Sequence, residues 1–337
     1  MDKQLIANNN LWHYTTLEGL MGILKSQRLW ATDYRHLNDS SELEYAKSIL
    51  EDELFQKVIP MVQKVYNENV KAKRYIDENG GVKCVAREET KDVVDILWKS
   101  LIKMDSLSHV PCISSFCLGV IDNKDIQSDG LLSQWRGYGA DDGYAIVFNL
   151  SEMLKCFKKE CEDFRYSISG SGDICYKCDA LDKQYNLVKH LNQITTFASK
   201  LYSFRVYKTH EPQPDEHDLD SLVHCLTRFK HPGFEEKREY RFFVFAYDNE
   251  EDVRKITPLK ERNKPLKKIQ NRWCKGTSVP YVELFETIPR LPRERIVVGP
   301  HKDKEKRIES LTIYLKSKGL QDIKVDCSVI SYIGLSR

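Results

Sequence analysis

Apolar positions Leu17, Leu20, Met21 and Leu24 recur at i, i+3, i+4 and i+7, which predicts a helix with one buried stripe after a short apolar start. Thr15 and Glu18 have the T-x-x-E spacing of a capping box, so the helix is predicted to open near Thr15 with His13 and Tyr14 just outside its mouth. A second stripe, Leu43, Ala46, Leu50 and Leu54, follows another capping-box pair, Ser41 and Glu44. Residues 61–79 read as polar helix until Gly80 and Gly81 stop it. Residues 92–104 read as a helix apolar on nearly every side, through Val93, Val94, Ile96, Leu97, Leu101 and Ile102, which implies deep burial.

Strand patterns lie between these helices. Residues 28–33 and 112–117 are short candidates, and the unbroken β-prone run G-Y-A-I-V-F-N at 143–149 predicts a central strand. From 151 to 230 the character changes to a helix rich in Lys and Cys, a predicted hairpin around S-G-S-G at 169–172, and a long helical pattern over 181–207. The prolines of E-P-Q-P-D-E-H-D then break that helix. This stretch reads as a largely helical insertion. Strands resume at 239–247, 279–285 and 295–298, followed by a helix at 303–318 and a last strand at 323–330. Helices and strands mix without strict alternation, which predicts one α+β domain over 1–337 with the insertion at 151–230.

Composition narrows the class. A chain of 337 residues is long enough to bury a sizeable core. No run approaches 18 apolar residues and the N-terminus lacks an apolar signal region, so the expectation is a cytoplasmic protein without a membrane span. Ten unevenly spaced cysteines then read as thiols rather than a disulfide framework. The net charge of +2 gives no global pull toward nucleic acid. Residues 255–275 nevertheless hold eight Lys or Arg against one acid, with Trp273 near the end, which reads either as a solvated loop or as a local nucleic-acid contact.

Four short motifs follow one another: His13-Tyr14-Thr15, then Asn38-Asp39-Ser40-Ser41-Glu42, then Trp135-Arg136-Gly137-Tyr138-Gly139, then Glu239-Tyr240-Arg241. The order resembles a bacterial family of unknown function with H-Y-T, N-D-x-x-E, W-x-x-Y-[AG] and E-Y-R motifs. It also resembles the ADP-ribosyltransferase superfamily, in which the His and Thr of an H-[GY]-T element hold NAD. That resemblance implies a mixed central sheet of ADP-ribosyltransferase-like type with peripheral helices, NAD as substrate, and by association a bacterial toxin or phage-defence effector with an unknown acceptor. The alternative is a non-enzymatic module that binds a nucleotide, a nucleic acid or a protein through the same cleft.

On the enzyme reading, cleavage of the nicotinamide–ribose bond develops positive charge on the ribose, which an ionised carboxylate stabilises. Glu239 is the candidate catalytic group. Alternation puts Glu239 and Arg241 on one strand face, where they would otherwise form a salt bridge at a sheet end. Glu235 and Glu236 are fallback carboxylates. Cofactor-binding candidates are His13, Tyr14, Thr15, Ser114, Arg136, Tyr138 and Arg241, with Tyr138 offering its ring to nicotinamide and Arg136 suited to clamp a diphosphate. Trp135 reads as a core anchor. Cys175 and Cys178, with Cys156 and Cys161 upstream, have partial zinc spacing, but the upstream pair falls within a predicted helix and no metal is assigned.

Overall fold

The computed structural model describes residues 10–37, 42–105, 110–119, 128–139, 143–176, 185–247, 263–274 and 276–331. Strand β1 (Asn10–Thr16) enters helix α1 (Leu17–Ser26), and β2 (Leu29–Asp33) follows. Three helices come next: α2 (Glu42–Glu68), α3 (Val70–Glu78) and α4 (Val82–Asp105). Strand β3 (Val110–Gly119) precedes a short helical turn, Leu132–Gln134, that runs into a π-helical turn, Trp135–Gly139. Then come β4 (Gly143–Asn149), α5 (Leu150–Asp163), β5 (Ile168–Asp173), α6 (Tyr185–Tyr207) and α7 (Glu216–Leu226). The 3-10 turn Pro232–Lys237 leads into β6 (Glu239–Ala246), and β7 (Gln270–Cys274), β8 (Thr277–Leu284), β9 (Arg293–Val298), α8 (Lys304–Ser317) and β10 (Lys324–Cys327) complete the described elements.

The strands form one mixed, open sheet in the order β10-β9-β4-β1-β3-β2-β8-β7. Every pairing is antiparallel except β9 with β10. Strand β3 is a fork. One of its edges carries β6, with β5 beyond, while the other carries β1 opposite residues 117–119 and β2 opposite 112–113. Because side chains alternate across a strand, the sheet has two chemically distinct faces. One is covered by α1, α5 and α8, whose Leu20, Leu24, Met153, Phe157, Leu311 and Leu315 pack on Leu11, Phe116, Ile146, Phe148 and Phe242. The other is covered by α2, α4, α6 and α7 over Ile113, Ile168, Phe243 and Phe245. Strand β4 is buried along almost its whole length, as its apolar run requires.

Several boundaries differ from the sequence expectation. The first helix is capped by Thr16, whose hydroxyl accepts from the Gly19 N–H at 3.2 Å, because β1 stays paired with β4 through Thr16 and so keeps Thr15 in the strand. The Thr15–Glu18 box is therefore not formed. Ser41 lies outside the described residues, as do Asn38 and Asp39. The polar helix over 61–79 is split at Asn69, whose side chain accepts from the Ala72 N–H and opens α3. The predicted hairpin at 169–172 is strand β5, with Gly170 opposite Phe243 and Gly172 opposite Arg241. Those glycines serve close approach rather than a turn: a Cβ at Gly170 would lie 2.4 Å from the Phe243 ring and 2.5 Å from the His224 ring. Part of the basic run forms β7, an edge strand that the sequence reading did not anticipate.

Candidate active site

Glu239 opens β6 after a tight turn in which Arg238 takes a left-handed conformation with φ 41°. The Arg238 carbonyl accepts from the Leu118 N–H at 2.9 Å, and the register places Glu239 opposite Cys117 and Arg241 opposite Ser115. Alternation then sets Glu239 and Arg241 on the face covered by α2 and α7. There Glu42, from the first turn of α2, and Lys230, from the segment after α7, complete a ring of four buried charges.

Each member of the ring meets two of opposite sign. Arg241 Nε donates to Glu239 Oε1 at 2.9 Å, and the Arg241 guanidinium pairs with Glu42. Lys230 Nζ donates to Glu239 Oε2 at 3.0 Å and lies 3.1 Å from Glu42 Oε2. The ring is electrically neutral, which is what permits it at 1% exposure for Arg241 and 5% for Glu239. It is also tied to the backbone, since Arg241 donates to the Thr227 carbonyl and the Tyr176 hydroxyl accepts from the Glu239 N–H. Burial pushes the Glu239 carboxyl upward, but Arg241, Lys230 and the Ser115 hydroxyl outweigh it and hold it at about 2. The Arg241 guanidinium is likewise held above its ordinary value against burial, chiefly by Glu239 and Glu42. Glu239 is thus ionised, with both oxygens already held by cations.

Beside the ring, on the same face, lies the W-R-G-Y-G turn. Trp135 is buried at 1% exposure and donates its indole N–H to the Asp129 carbonyl, as expected of a core anchor. Tyr14 packs edge-on against Trp135 at 4.8 Å, and its hydroxyl accepts from the Leu131 N–H, so β1 fixes the position of the turn. Gln134, buried, accepts from the Cys117 thiol, which burial raises to about 12 and so keeps uncharged. Tyr138 stands out at 40% exposure with the Lys237 ammonium 5.4 Å from its ring; the same ammonium lies 5.7 Å from the Phe234 ring. Arg136 is exposed on the same turn. The result is an aromatic and cationic rim above a buried, neutral ion ring.

His13, Thr15 and Ser114 point the other way. The pairing of Trp12 with Cys117, and of Cys117 with Glu239, puts Trp12 and Tyr14 on the Glu239 side, so His13 and Thr15 face α1. The His13 ring packs 5.5 Å from Phe116 and bonds the Ser115 backbone carbonyl, and burial lowers it to about 4, so it is neutral. Thr15 packs against Gly19, where a Cβ would lie 2.1 Å from its Oγ1. Ser114 Oγ is buried and makes no hydrogen bond among the described residues. The single pocket expected for His13, Tyr138 and Glu239 is therefore corrected: an even-odd alternation along β1 separates the imidazole from the carboxylate by the thickness of the sheet. Ser115 touches both, with its carbonyl toward His13 and its hydroxyl on Glu239.

The motifs still converge, with Tyr14, Glu42, Trp135, Tyr138, Glu239 and Arg241 all on the ring and rim side. Residues 134–242 match the model of the family DUF2971, described as a protein of unknown function. Comparison with curated proteins and with solved structures gave no match. The DUF2971 segment holds the W-R-G-Y-G turn, Lys230, Lys237 and the E-Y-R strand, while Tyr14 and Glu42 reach it from the preceding elements. These comparisons carry no link to ADP-ribosyltransferases. Lys230, Lys237 and Tyr176 are not singled out by the sequence, because such residues outside a periodic pattern carry no local signal of burial; Ser115 stands beside Ser114 in a segment that resembles the serine-bearing strand of the superfamily. For the zinc alternative, Cys156 and Cys161 lie on α5, Cys175 is buried, and Cys178 falls outside the described residues. No described helix is long and apolar enough to cross a membrane.

Proposed function

We propose that the protein binds a nucleotide across the Tyr138–Lys237–Phe234 rim, with NAD the first ligand to test. The observation that carries this reading is an ammonium set beside two aromatic rings, one of them 40% exposed, with the other, Phe234, 4.9 Å from the Lys230 ammonium of the buried ring of charges. An aromatic face takes a planar base and the cations take phosphate oxygens. Arg136 on the same turn adds a planar fork suited to a diphosphate. The ion ring below adds no net charge and supplies rigidity.

Cleavage of NAD is the chemical extension of this reading, and it rests on Glu239 being ionised. In that step the nicotinamide leaves as a neutral base with the electron pair of the C–N bond, the ribose carries the developing positive charge, and an acceptor hydroxyl or water forms the new bond at the same carbon and loses its proton. For Glu239 to face the ribose, Lys230 or Arg241 must release one carboxylate oxygen. His13 and Thr15 take no part in this version, since they face α1.

Calorimetry with NAD and ADP-ribose, together with measured nicotinamide release, separates the two. Binding that falls about tenfold or more in Tyr138→Ala and Lys237→Ala supports the rim, at about 1.4 kcal/mol per tenfold. Nicotinamide release that is lost in Glu239→Gln, with binding kept, supports the enzyme. Absence of binding to any nucleotide removes the reading. A second partner, single-stranded nucleic acid, is favoured by Trp273 at 83% exposure on edge strand β7, and by Arg272 lying 5.0 Å over the Trp30 ring. Affinity for an oligonucleotide that stays flat as salt rises removes that reading.

A further inference from the structure

Away from the ion ring, helices α6 and α7 bring three metal-ligand side chains together. His190 comes from α6, and Asp220 and His224 lie one turn apart on α7. One ligand atom from each lies within 4.8 Å of the others. His190 Nδ1 is 3.9 Å from one Asp220 carboxylate oxygen and His224 Nε2 is 3.7 Å from the other. Among the described residues these two imidazoles are the only groups within ion-pair distance of Asp220. The cluster sits under β5, where the bare backbone of Gly170 makes room: a Cβ there would lie 2.7 Å from His224 Nε2.

We propose that His190, Asp220 and His224 form a binding site for one divalent transition-metal cation of the zinc or cobalt type. Two nitrogens and one carboxylate oxygen are the donor set such ions take, with an open fourth position for water. Two ligands about 2.1 Å from one tetrahedral centre are about 3.4 Å apart; the three ligand atoms lie within 4.8 Å of one another, with His190 Nδ1 sharing a hydrogen bond with Ser221 Oγ at 3.1 Å, so side-chain rotation must draw them together on an ion. The two rings are stacked 4.0 Å apart at 9°, and rings so nearly parallel must turn about their Cβ–Cγ bonds before their nitrogens aim at a common point. His224 Nδ1 is buried without a hydrogen-bond partner among the described residues, so the cluster holds an unsatisfied ring nitrogen.

His217, exposed one turn earlier on α7, acts on Asp220 electrostatically. Lys189 and Arg228 oppose a cation, but Arg228 is neutralised by Asp173 at 2.9 Å.

The position gives the ion a task. His224 packs 4.9 Å from Phe243, which shares its strand face with Arg241, and α7 ends at Thr227, whose carbonyl receives Arg241. A metal pinning α6 to α7 under β5 therefore holds the element that leads into Lys230 of the ion ring. The proposal does not depend on nucleotide binding. The full chain, treated with chelator and dialysed, is titrated with zinc by calorimetry and with cobalt by visible absorption. One equivalent with a tetrahedral cobalt spectrum is expected, and affinity falls at least about tenfold to a hundredfold in His190→Gln and in Asp220→Asn. Asp220→Asn is nearly isosteric and partly exposed, so it tests the site even if the histidine variant folds poorly. No stoichiometric binding by the wild type, or the same affinity and spectrum in Asp220→Asn, overturns the proposal.

Discussion

Replacing Glu42 with Gln leaves Lys230 and Arg241, 6% and 1% exposed, facing Glu239 alone. A neutral ring becomes a buried cluster with one unpaired positive charge. Removing one partner from a buried ion pair costs about 3–5 kcal/mol, and since the amide oxygen still accepts from one cation, about 3 kcal/mol is expected here. That is a large share of the roughly 5–15 kcal/mol that stabilises a folded chain. Urea unfolding measures it through the midpoint at constant slope. The double variant Glu42→Gln with Lys230→Met restores one cation to one carboxylate, so the two losses should fail to add by at least about 1 kcal/mol. Acid supplies an independent arm. The Glu239 carboxyl is held at about 2 against an ordinary value of 4.5, so its stabilising effect is present above pH 4.5 and is lost as pH falls toward 2. At about 1.4 kcal/mol per unit this amounts to about 3 kcal/mol, which Glu239→Gln should not lose on acidification. A Glu42→Gln variant within about 1 kcal/mol of wild type, or strictly additive losses in the double variant, refutes the claim that the ring acts as a unit.

Tyr14→Phe removes the hydroxyl that accepts from the Leu131 N–H and leaves a buried amide unpaired; a loss of about 1–3 kcal/mol in urea unfolding is expected, and an unchanged midpoint contradicts it. Gly170→Ala sets a methyl group 2.4 Å from the Phe243 ring and 2.5 Å from the His224 ring, so it should destabilise by about 1–3 kcal/mol and, if the cluster binds metal, weaken cobalt binding in the same titration. Trp273→Ala, at an 83% exposed position, should stay within about 0.5 kcal/mol of wild type in unfolding while reducing any oligonucleotide affinity measured by fluorescence anisotropy.

Local pattern alone determined most elements. The stripe Ala46, Leu50 and Leu54 is buried on α2, Val93, Val94 and Leu97 are buried on α4, and the run at 143–149 is an interior strand, because burial of an apolar face follows helical or alternating period wherever the face has a partner. The same alternation correctly put Glu239 and Arg241 side by side. Sequence also ordered the motifs along the chain, and the DUF2971 segment contains two of them. Which faces of which strands meet was decided only in three dimensions. A pairing register is a long-range choice, and a one-residue difference in it moves a side chain through the sheet. That is why His13 and Thr15 ended on the α1 side while their neighbour Tyr14 joined Trp135 and the ring. The glycines of S-G-S-G show the same division, since a turn and a crowded strand both call for the smallest residue, and only the neighbours packed against them, the His224 and Phe243 rings at Gly170 and the Arg228 guanidinium at Gly172, settle which is meant. Lys230 gave no sign in the sequence because a lysine is buried only when two carboxylates from distant elements, here Glu42 and Glu239, arrive to meet it.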